Sequence, residues 1–183
     1  MAQVRIGRRP LLAGSRRQAV RMRTGRKCPY GTYHVIRKYR TTDCEAIIEI
    51  WYAASLVATP FLSDEFLEEE RKNIRTIWLP KAENWVYEAD GDLAGFLSLI
   101  ENEVGAIFVH PDSQGHGIGG RLMDHAVSLR DSLYLDVFEK NRIGRRFYER
   151  YGFQFEHKHV HEQTGHIQLR LNYRPKDGVP SDP

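Results

Sequence analysis

The sequence predicts one α/β domain built around a mixed β-sheet. Three observations carry this prediction. An apolar, strand-like run, Val104–Val109, leads through a glycine-rich loop directly into an amphipathic helix. Upstream, Asp90-Gly91 separates two further strand-like runs, which is the strongest short signal for an antiparallel hairpin. With 183 residues, the chain is long enough to bury one sizeable core.

Composition and charge narrow the classes of function. The two cysteines are too few for a disulfide framework, so we expect a reducing, cytoplasmic location. No apolar run approaches the roughly 20 residues that a membrane span requires, and no membrane partner is expected. Residues 1–29 hold nine Lys and Arg and no Asp or Glu, which leaves 18 basic and 24 acidic residues in 30–183. An acidic domain suits cationic amines better than nucleic acid, which is an unlikely partner by this argument.

The charge pattern also divides the chain. Residues 1–30 are predicted to be a basic, disordered N-terminal tail, residues 31–174 the folded domain, and residues 175–183 a C-terminal tail. Two alternatives stay open for the basic segment. It is also compatible with an arm that binds polyanions, or with an organellar transit peptide, because such peptides are rich in Arg and poor in acidic residues.

The first half of the domain is predicted as a strand, two helices and a hairpin. A strand at His34–Lys38 precedes a helix with a capping box at Thr42 and Glu45. A second helix begins at Ser63 and is expected to end near Trp78, because Leu79-Pro80 follows. The apolar residues of this region either line a substrate entrance or pack in the core: Phe61, Leu62, Phe66, Ile74 and Trp78.

The second half alternates strands and helices before a final hairpin. The predicted strands are Trp85–Tyr87, Leu93–Leu99, Val104–Val109, Leu133–Val137, Phe153–His161 and His166–Asn172, with helices from Ile118 and from Asn141 to Tyr151. The resulting order is β-α-α-β-β-β-α-β-α-β-β.

The stretch from Gln114 to Gly120 is predicted to be a phosphate cradle. Four glycines occupy the six positions 115–120, where a helix begins. The first N–H groups of a helix lack intrahelical partners, its dipole favours negative charge there, and glycine lets an anion approach closely. A P-loop is excluded because Gly119 is followed by Gly120 and Arg121 instead of Lys and Ser or Thr. The dinucleotide pattern Gly-x-Gly-x-x-Gly is present, but no acidic residue ends a strand about 20 residues later.

A second motif begins at Asn141. An ordinary amphipathic helix explains Ile143, Phe147 and Tyr151, which share one stripe. It does not explain Asn141 and Tyr148, which lie off that stripe. These two polar positions are therefore candidates for a functional role.

Together the two motifs resemble the GNAT superfamily of N-acetyltransferases. The blocks that carry the resemblance are Gln114-x-x-Gly117-x-Gly119 and Asn141-x-x-Gly144-x-x-Phe147-Tyr148-Glu149-x-x-Gly152-Phe153. Gly144 stands where that family usually has alanine. The resemblance covers about residues 34–173 and is closest to small stand-alone bacterial members of the peptidyl-lysine N-acetyltransferase type. It implies the GNAT fold: a mixed, mostly antiparallel seven-stranded sheet with four helices.

The resemblance also implies the reaction and the cofactor. An acetyl group would pass from acetyl-CoA to a primary amine, either a small amine or a protein lysine, by direct attack in a ternary complex and without a metal. The residues implied to bind the cofactor are Phe108, Val109, Gln114, Gly115, His116, Gly117, Ile118, Gly119, Gly120, Asn141 and Tyr148. Asn141 would contact the pantetheine arm, and Tyr148 would face the thioester sulfur as general acid. The protein is expected to be a monomer or a homodimer.

The general base has more than one candidate. Glu103 lies eleven residues before Gln114, where some lysine-acetylating members carry a catalytic Glu. A solvated turn carboxylate is the alternative for Glu103, and a water chain to Glu101 or a histidine the alternative base.

Two other functions compete with acetyl transfer. One is a CoA-binding regulatory module without turnover, and the other a nucleic-acid-associated protein that uses the basic arm. A zinc site is not favoured, because histidines on a terminal hairpin tend to be exposed and zinc needs a tetrahedral set: His157, His159, His161 and His166.

Overall fold

A computed structural model describes residues 33–174 of the chain. The predictions for residues 1–30 and 175–183 lie outside this range. Within it, no helix is both long and apolar enough to cross a membrane.

The order of the elements agrees with the predicted one, and the ends of most elements agree closely. The strands are β1 (His34–Lys38), β2 (Glu83–Ala89), β3 (Asp92–Ile100), β4 (Glu103–Val109), β5 (Leu133–Phe138), β6 (Gln154–Val160) and β7 (Ile167–Tyr173), and the helices are α1 (Cys44–Ala58), α2 (Asp64–Asn73), α3 (Ile118–Leu129) and α4 (Arg142–Tyr151). Asp90 and Gly91, with φ of 53° and 90°, form the predicted turn between β2 and β3.

The seven strands form one sheet in the order β1-β2-β3-β4-β5-β7-β6. Every neighbouring pair is antiparallel except β4 and β5, which confirms the predicted fold class. The parallel ladder consists of a single pair, Glu103 with Tyr134. Beyond it, toward Val109 and Phe138, the two strands have no further backbone pairing. We call this opening the β4–β5 gap.

Helices cover both faces of the sheet and make two cores. On the α3 face, the fully buried residues are Leu97, Leu99, Leu122, Met123, Leu133 and Leu135. On the α1 and α2 face, the buried residues include Ile47, Ile50, Trp51, Leu67, Val86 and Phe96. The β4–β5 gap can therefore be approached from two sides, the α3 face and the α1 and α2 face.

The helical segment after Ser63 is longer and less regular than predicted. Ser63 caps α2 as expected, since its Oγ accepts from the Phe66 N–H at 3.2 Å. The α-helix ends at Asn73, a π-type turn follows at Ile74–Trp78, and a last helical turn covers Leu79–Lys81. Pro80 does not end the helical segment, because a proline in the first turn of a helix loses no intrahelical hydrogen bond.

The start of α1 differs from the predicted capping box of Thr42 and Glu45. A 3₁₀ turn precedes the helix, and it is Asp43 that accepts a hydrogen bond, from the Arg40 N–H at 2.7 Å. Arg37 also donates two hydrogen bonds to this carboxylate, at 2.8 and 3.0 Å. The hydrogen bonds from Arg37 hold the pKa of Asp43 below its usual value.

Candidate active site

The glycine-rich stretch that was predicted to be a phosphate cradle lies at the start of α3. Gly115 and Gly117 have φ of 81° and 77°, in the left-handed region that side chains disfavour. Gly117 is the N-cap, and the first intrahelical bond runs from the Arg121 N–H to its carbonyl at 3.1 Å. The N–H groups of residues 118–120 therefore have no partner in the helix and are available to an anion.

The other two glycines serve different purposes. A Cβ on Gly119 would lie 3.2 Å from Cε2 of Phe147, so glycine lets α3 and α4 approach closely. A Cβ on Gly120 would meet nothing within 4 Å, which leaves the first turn bare. Ile118 is buried in the core, so only its main chain can face a ligand.

Polar side chains brace the cradle. Gln114 Nε2 donates to the Val109 carbonyl at 3.0 Å and so ties the loop to the end of β4. His116 Nδ1 lies 3.3 Å from the Ser113 carbonyl, and both Gln114 and His116 are exposed. Arg121, which follows Gly120, donates to the Tyr87 hydroxyl at 2.9 Å. The sequence reasoning did not include Arg121 in the site, although its position in the first turns of α3 could have indicated it.

The edge of β4 that faces the gap presents main-chain groups. The His110 N–H donates to the Ala94 carbonyl at 2.9 Å, and hydrogen-bonded pairs alternate along an antiparallel ladder. Phe108 is two residues away, so its main chain points at β3. Val109 and Ile107 lie between these positions, so their N–H and C=O groups point toward the gap, where the Val109 carbonyl already accepts a hydrogen bond from Gln114.

This alternation corrects one predicted cofactor contact. Val109 is suitably placed, but the main chain of Phe108 is engaged with Phe96 of β3. The Phe108 ring also stacks on Phe96, with centroids 5.6 Å apart. Ile107 is the residue that the sequence reasoning missed. The period of two along a strand was the signal that pointed to it.

Asn141 is held in a fixed orientation at the N-terminus of α4. Its Oδ1 accepts from the Gly144 N–H at 2.8 Å. A Cβ on Gly144 would lie 2.9 Å from Nδ2 of Asn141. Glycine at this position therefore gives the Asn141 amide room, where an alanine methyl would press on it. The helix ends at Tyr151, and Gly152 follows with φ of 109°, the left-handed conformation that is common for a glycine after a helix.

Tyr148 projects from α4 into an aromatic environment. Its ring lies 5.3 Å from the ring of Phe147 and 5.5 Å from that of Phe153. Burial raises the pKa of Tyr148, so the phenol stays protonated at neutral pH. Its hydroxyl makes no hydrogen bond within residues 33–174, which leaves the proton available to a ligand.

Glu103 lies at the closed end of the gap, four residues and roughly 13 Å along β4 from Ile107. Its Oε1 accepts from Arg170 at 3.2 Å, and Arg170 also donates to Asp136 at 2.8 Å. The Arg170 guanidinium further stacks on Tyr134 at 4.1 Å. This ion pair occupies the carboxylate that was predicted to act as base, and the geometry argues against that role.

Aromatic side chains line the open end of the gap on the α1 and α2 face. We call this set the aromatic cluster: Phe61, Phe66, Phe138, His161 and His166. Of the five residues considered for a substrate entrance, Phe61, Leu62 and Phe66 are half-buried here. Ile74 belongs to the core, and Trp78 is 44% exposed.

The four histidines considered for zinc fall into two groups. His157 and His159 lie on the open face of β6, with ring centroids 5.8 Å apart, whereas His161 and His166 join the aromatic cluster. In the part of the chain that the structure describes, no three His, Cys, Asp or Glu side chains are arranged to hold a metal ion.

Comparison with known proteins assigns the family. The family model for the acetyltransferase (GNAT) domain matches residues 80–155. The peptidyl-lysine N-acetyltransferase YiaC of Escherichia coli (strain K12) is 33% identical over 120 residues, which cover 65% of this chain and 82% of the relative. The chain belongs to the GNAT family of acetyltransferases.

Solved structures of GNAT proteins agree with the fold. The solution structure of apo-form YjaB from Escherichia coli superposes with a TM-score of 0.71 at 30% identity, over 77% of this chain and 97% of that one. The PaiA N-acetyltransferase of Thermoplasma acidophilum, solved with coenzyme A, has a TM-score of 0.64 at 21% identity, over 77% and 99% of the two chains. The predicted family, fold and enzyme class are confirmed, and the comparisons support acetyl transfer over a regulatory module.

Proposed function

We propose that this GNAT protein transfers the acetyl group of acetyl-CoA to the side-chain amine of lysine in a protein. The observation that carries the proposal is the placement of the cradle at Gly117 beside the open main-chain edge of Ile107 and Val109. The cradle binds an anion, and the main-chain edge binds a chain of amides. Acetyl-CoA combines a diphosphate with an amide-containing arm in this order.

The cofactor is proposed to bind along the gap. Its diphosphate accepts hydrogen bonds from the bare N–H groups of residues 118–120, with Arg121 as a nearby cation. Its pantetheine amides pair with the main chain of Ile107 and Val109 as an added strand would. The dipole of α3 contributes only about 0.3–1 kcal/mol. Most of the affinity therefore comes from several hydrogen bonds acting together. Asn141, which is held in place by its hydrogen bond to the Gly144 N–H, contacts the pantetheine arm from the side of α4.

Tyr148 is proposed to assist departure of the sulfur. A thiolate with an ordinary pKa near 8.5 leaves readily, so the acid supplies a modest part of the catalysis. Because burial keeps Tyr148 protonated, its hydroxyl can donate a hydrogen bond to the sulfur as negative charge develops there. Removing the proton of a lysine ammonium at pH 7 costs more, roughly 4–5 kcal/mol. The reaction therefore depends more on a base than on an acid.

Two observations favour a lysine acceptor. The first is that α2, which borders the aromatic cluster through Phe66, carries an excess of carboxylates: Asp64, Glu65 and Glu68–Glu70 against Arg71 and Lys72, which pair with Glu68 and Glu69. Such a helix attracts cationic segments. The second is that YiaC, which this chain resembles, is named a peptidyl-lysine N-acetyltransferase. With few cysteines, the protein is proposed to work in a reducing compartment such as the cytoplasm.

The proposal is tested by assaying acetyl-CoA turnover through release of free thiol. Lysine peptides, polyamines, aminoglycosides and free amino acids serve as acceptors. Turnover highest on lysine peptides is the expected result, and calorimetry should show binding of coenzyme A. If coenzyme A produced no heat, the cofactor assignment would fall. If another acceptor class were used far better than the peptides, the lysine assignment alone would fall.

A further inference from the structure

Direct acetyl transfer requires a proton acceptor near the amine, and the structure limits where it can lie. The cradle and α3 lie at one approach to the β4–β5 gap, so the amine enters from the opposite face, at the aromatic cluster. Glu103 forms the single bridge to Tyr134 at the closed end of the gap, and its carboxylate is paired with Arg170. The ionisable groups of the cluster itself are two imidazoles, and imidazole is the side chain that ordinarily titrates near neutral pH.

The two imidazoles are held differently. The β6–β7 turn is closed by the His161 N–H, which donates to the His166 carbonyl at 2.8 Å. His166 Nε2 lies 3.3 Å from the Phe61 carbonyl, so this nitrogen is engaged as a donor. His161 Nδ1 lies 2.9 Å from Thr164 Oγ1. Its Nε2 has no hydrogen-bond partner within the described residues, 33–174.

Two aromatic rings hold the His161 imidazole in place. Phe138 of β5 and Phe66 of α2 pack edge-on, with centroids 5.3 and 5.8 Å from the imidazole. Phe138 ends the strand that borders the gap, so this contact places His161 at the open end. The titratable and charged groups nearby are His166 across the turn, His159 of β6, Asp136 of β5 at 4.0 Å from His159 Nε2, and Lys140, which lies over Phe61 at 5.5 Å.

We propose that His161 is the catalytic base that deprotonates the acceptor amine, an inference that rests on the proposed acetyl transfer. With the proton on Nδ1 donated to Thr164, Nε2 presents a lone pair to the incoming ammonium. A fixed hydrogen bond to one imidazole nitrogen is the usual means of setting the tautomer of the other. Thr164 is then a positioning residue.

The step balances as follows. The ammonium gives one proton to His161 Nε2, and the free amine attacks the thioester carbon. The C–N bond forms, the C–S bond breaks, and the sulfur leaves with the electron pair. The thiolate takes a proton from the Tyr148 hydroxyl, which recovers one from the protonated amide nitrogen. His161 returns its proton to solvent. The products are the acetylated amine, coenzyme A and one proton.

The test compares pH profiles of kcat/KM for the full-length wild type and H161Q on a lysine peptide. For H161Q we expect a loss of about 10²–10⁴-fold at pH 7.5, the usual contribution of a general base. The acid limb expected for the wild type should be absent, and the rate should instead rise with pH toward the ordinary pKa of lysine, near 10.4. Added imidazole should partly restore H161A, and both variants should bind coenzyme A with unchanged affinity.

Two matched variants complete the experiment. H159Q changes a histidine two residues earlier, in β6, and should stay within a few-fold of the wild type, whereas E103Q should keep the acid limb. The inference is overturned if H161Q retains the wild-type limb, or if E103Q loses it. A wild type that binds coenzyme A but acetylates no amine would refute the proposed function itself. A wild type that turns over, with an equally active H161Q, would refute only the role of His161.

Discussion

Replacing Gly117 by alanine tests the cradle. Gly117 has φ of 77°, and a Cβ there would touch nothing within 4 Å, so the cost is one of backbone conformation and not of packing. The left-handed conformation costs a residue with a side chain about 1–2 kcal/mol. For a domain of this size, that corresponds to a fall of about 2–8 °C in Tm.

The same substitution should weaken coenzyme A binding. If relaxation of the backbone misdirects one N–H that bonds the diphosphate, the loss is about 1.5–3 kcal/mol, because the acceptor is charged. This free energy corresponds to a roughly 10- to 150-fold rise in Kd. Calorimetry with coenzyme A gives the Kd, and thermal unfolding without ligand gives the Tm.

Two further glycines separate the two effects. Gly91 also has a positive φ, 90°, and free space around a Cβ, but it lies in the β2–β3 turn. Gly91→Ala should therefore lower Tm in the same way and leave Kd unchanged. Gly120 has ordinary helical φ, so Gly120→Ala should raise stability by up to about 1 kcal/mol while its methyl group obstructs the anion. If Gly120→Ala bound coenzyme A as tightly as the wild type, the diphosphate would not lie on this turn and the cradle would be refuted.

Other substitutions probe the acid, the arm contact and the fold. Tyr148→Phe should lower kcat about 10²-fold through loss of one hydrogen bond to developing charge, with Kd for coenzyme A unchanged; an equally fast variant would exclude Tyr148 as the acid. Asn141→Ala should cost about 1 kcal/mol of stability through the lost cap and raise KM for acetyl-CoA, and an unchanged KM would exclude the arm contact. Asp43→Asn should lower the free energy of unfolding by about 2–3 kcal/mol, because the side chain accepts charged hydrogen bonds from Arg37. Because Arg37 lowers the pKa of Asp43, its stabilisation is present above the ordinary carboxyl pKa, about 3.9, and is lost as pH falls through the folded value. Urea unfolding at pH 7 and pH 3 should therefore show a smaller acid loss for Asp43→Asn than for the wild type, and equal losses would contradict the assignment.

Local signals in the sequence were sufficient for the elements and for the glycine turn at the start of α3. Gly117 at a helix start and Asp90-Gly91 between strands each require a backbone conformation that few residues adopt, so their effect is visible within a few positions. Asn141 was recognised because it lies off the apolar stripe of α4 and can cap that helix. In each case the physical cause lies close to the residue in the chain.

Contacts between distant residues were not predictable in this way. The partner of Glu103 is Arg170, 67 positions later, and His166 meets the carbonyl of Phe61 across 105 positions. Both contacts depend on which strands become neighbours in the sheet. From the sequence, Glu103 was therefore a candidate base without its cation. A histidine was an alternative base with no position assigned, and the hairpin histidines were considered by number only as metal ligands. The predicted cofactor contact of the Phe108 main chain was wrong for a related reason. Its pairing with β3 decides which main-chain groups of β4 point toward the gap.

The lone Glu103–Tyr134 bridge also bears on how the enzyme responds to its cosubstrate. Four strands lie on one side of it and three on the other, so the continuity of backbone bonding across the sheet is interrupted at one seam. A cosubstrate whose amides bind in that seam supplies hydrogen bonds that the two strands do not make with each other. Binding should therefore slow amide hydrogen exchange in β4 and β5 together, and release of coenzyme A should reopen the seam before the next turnover.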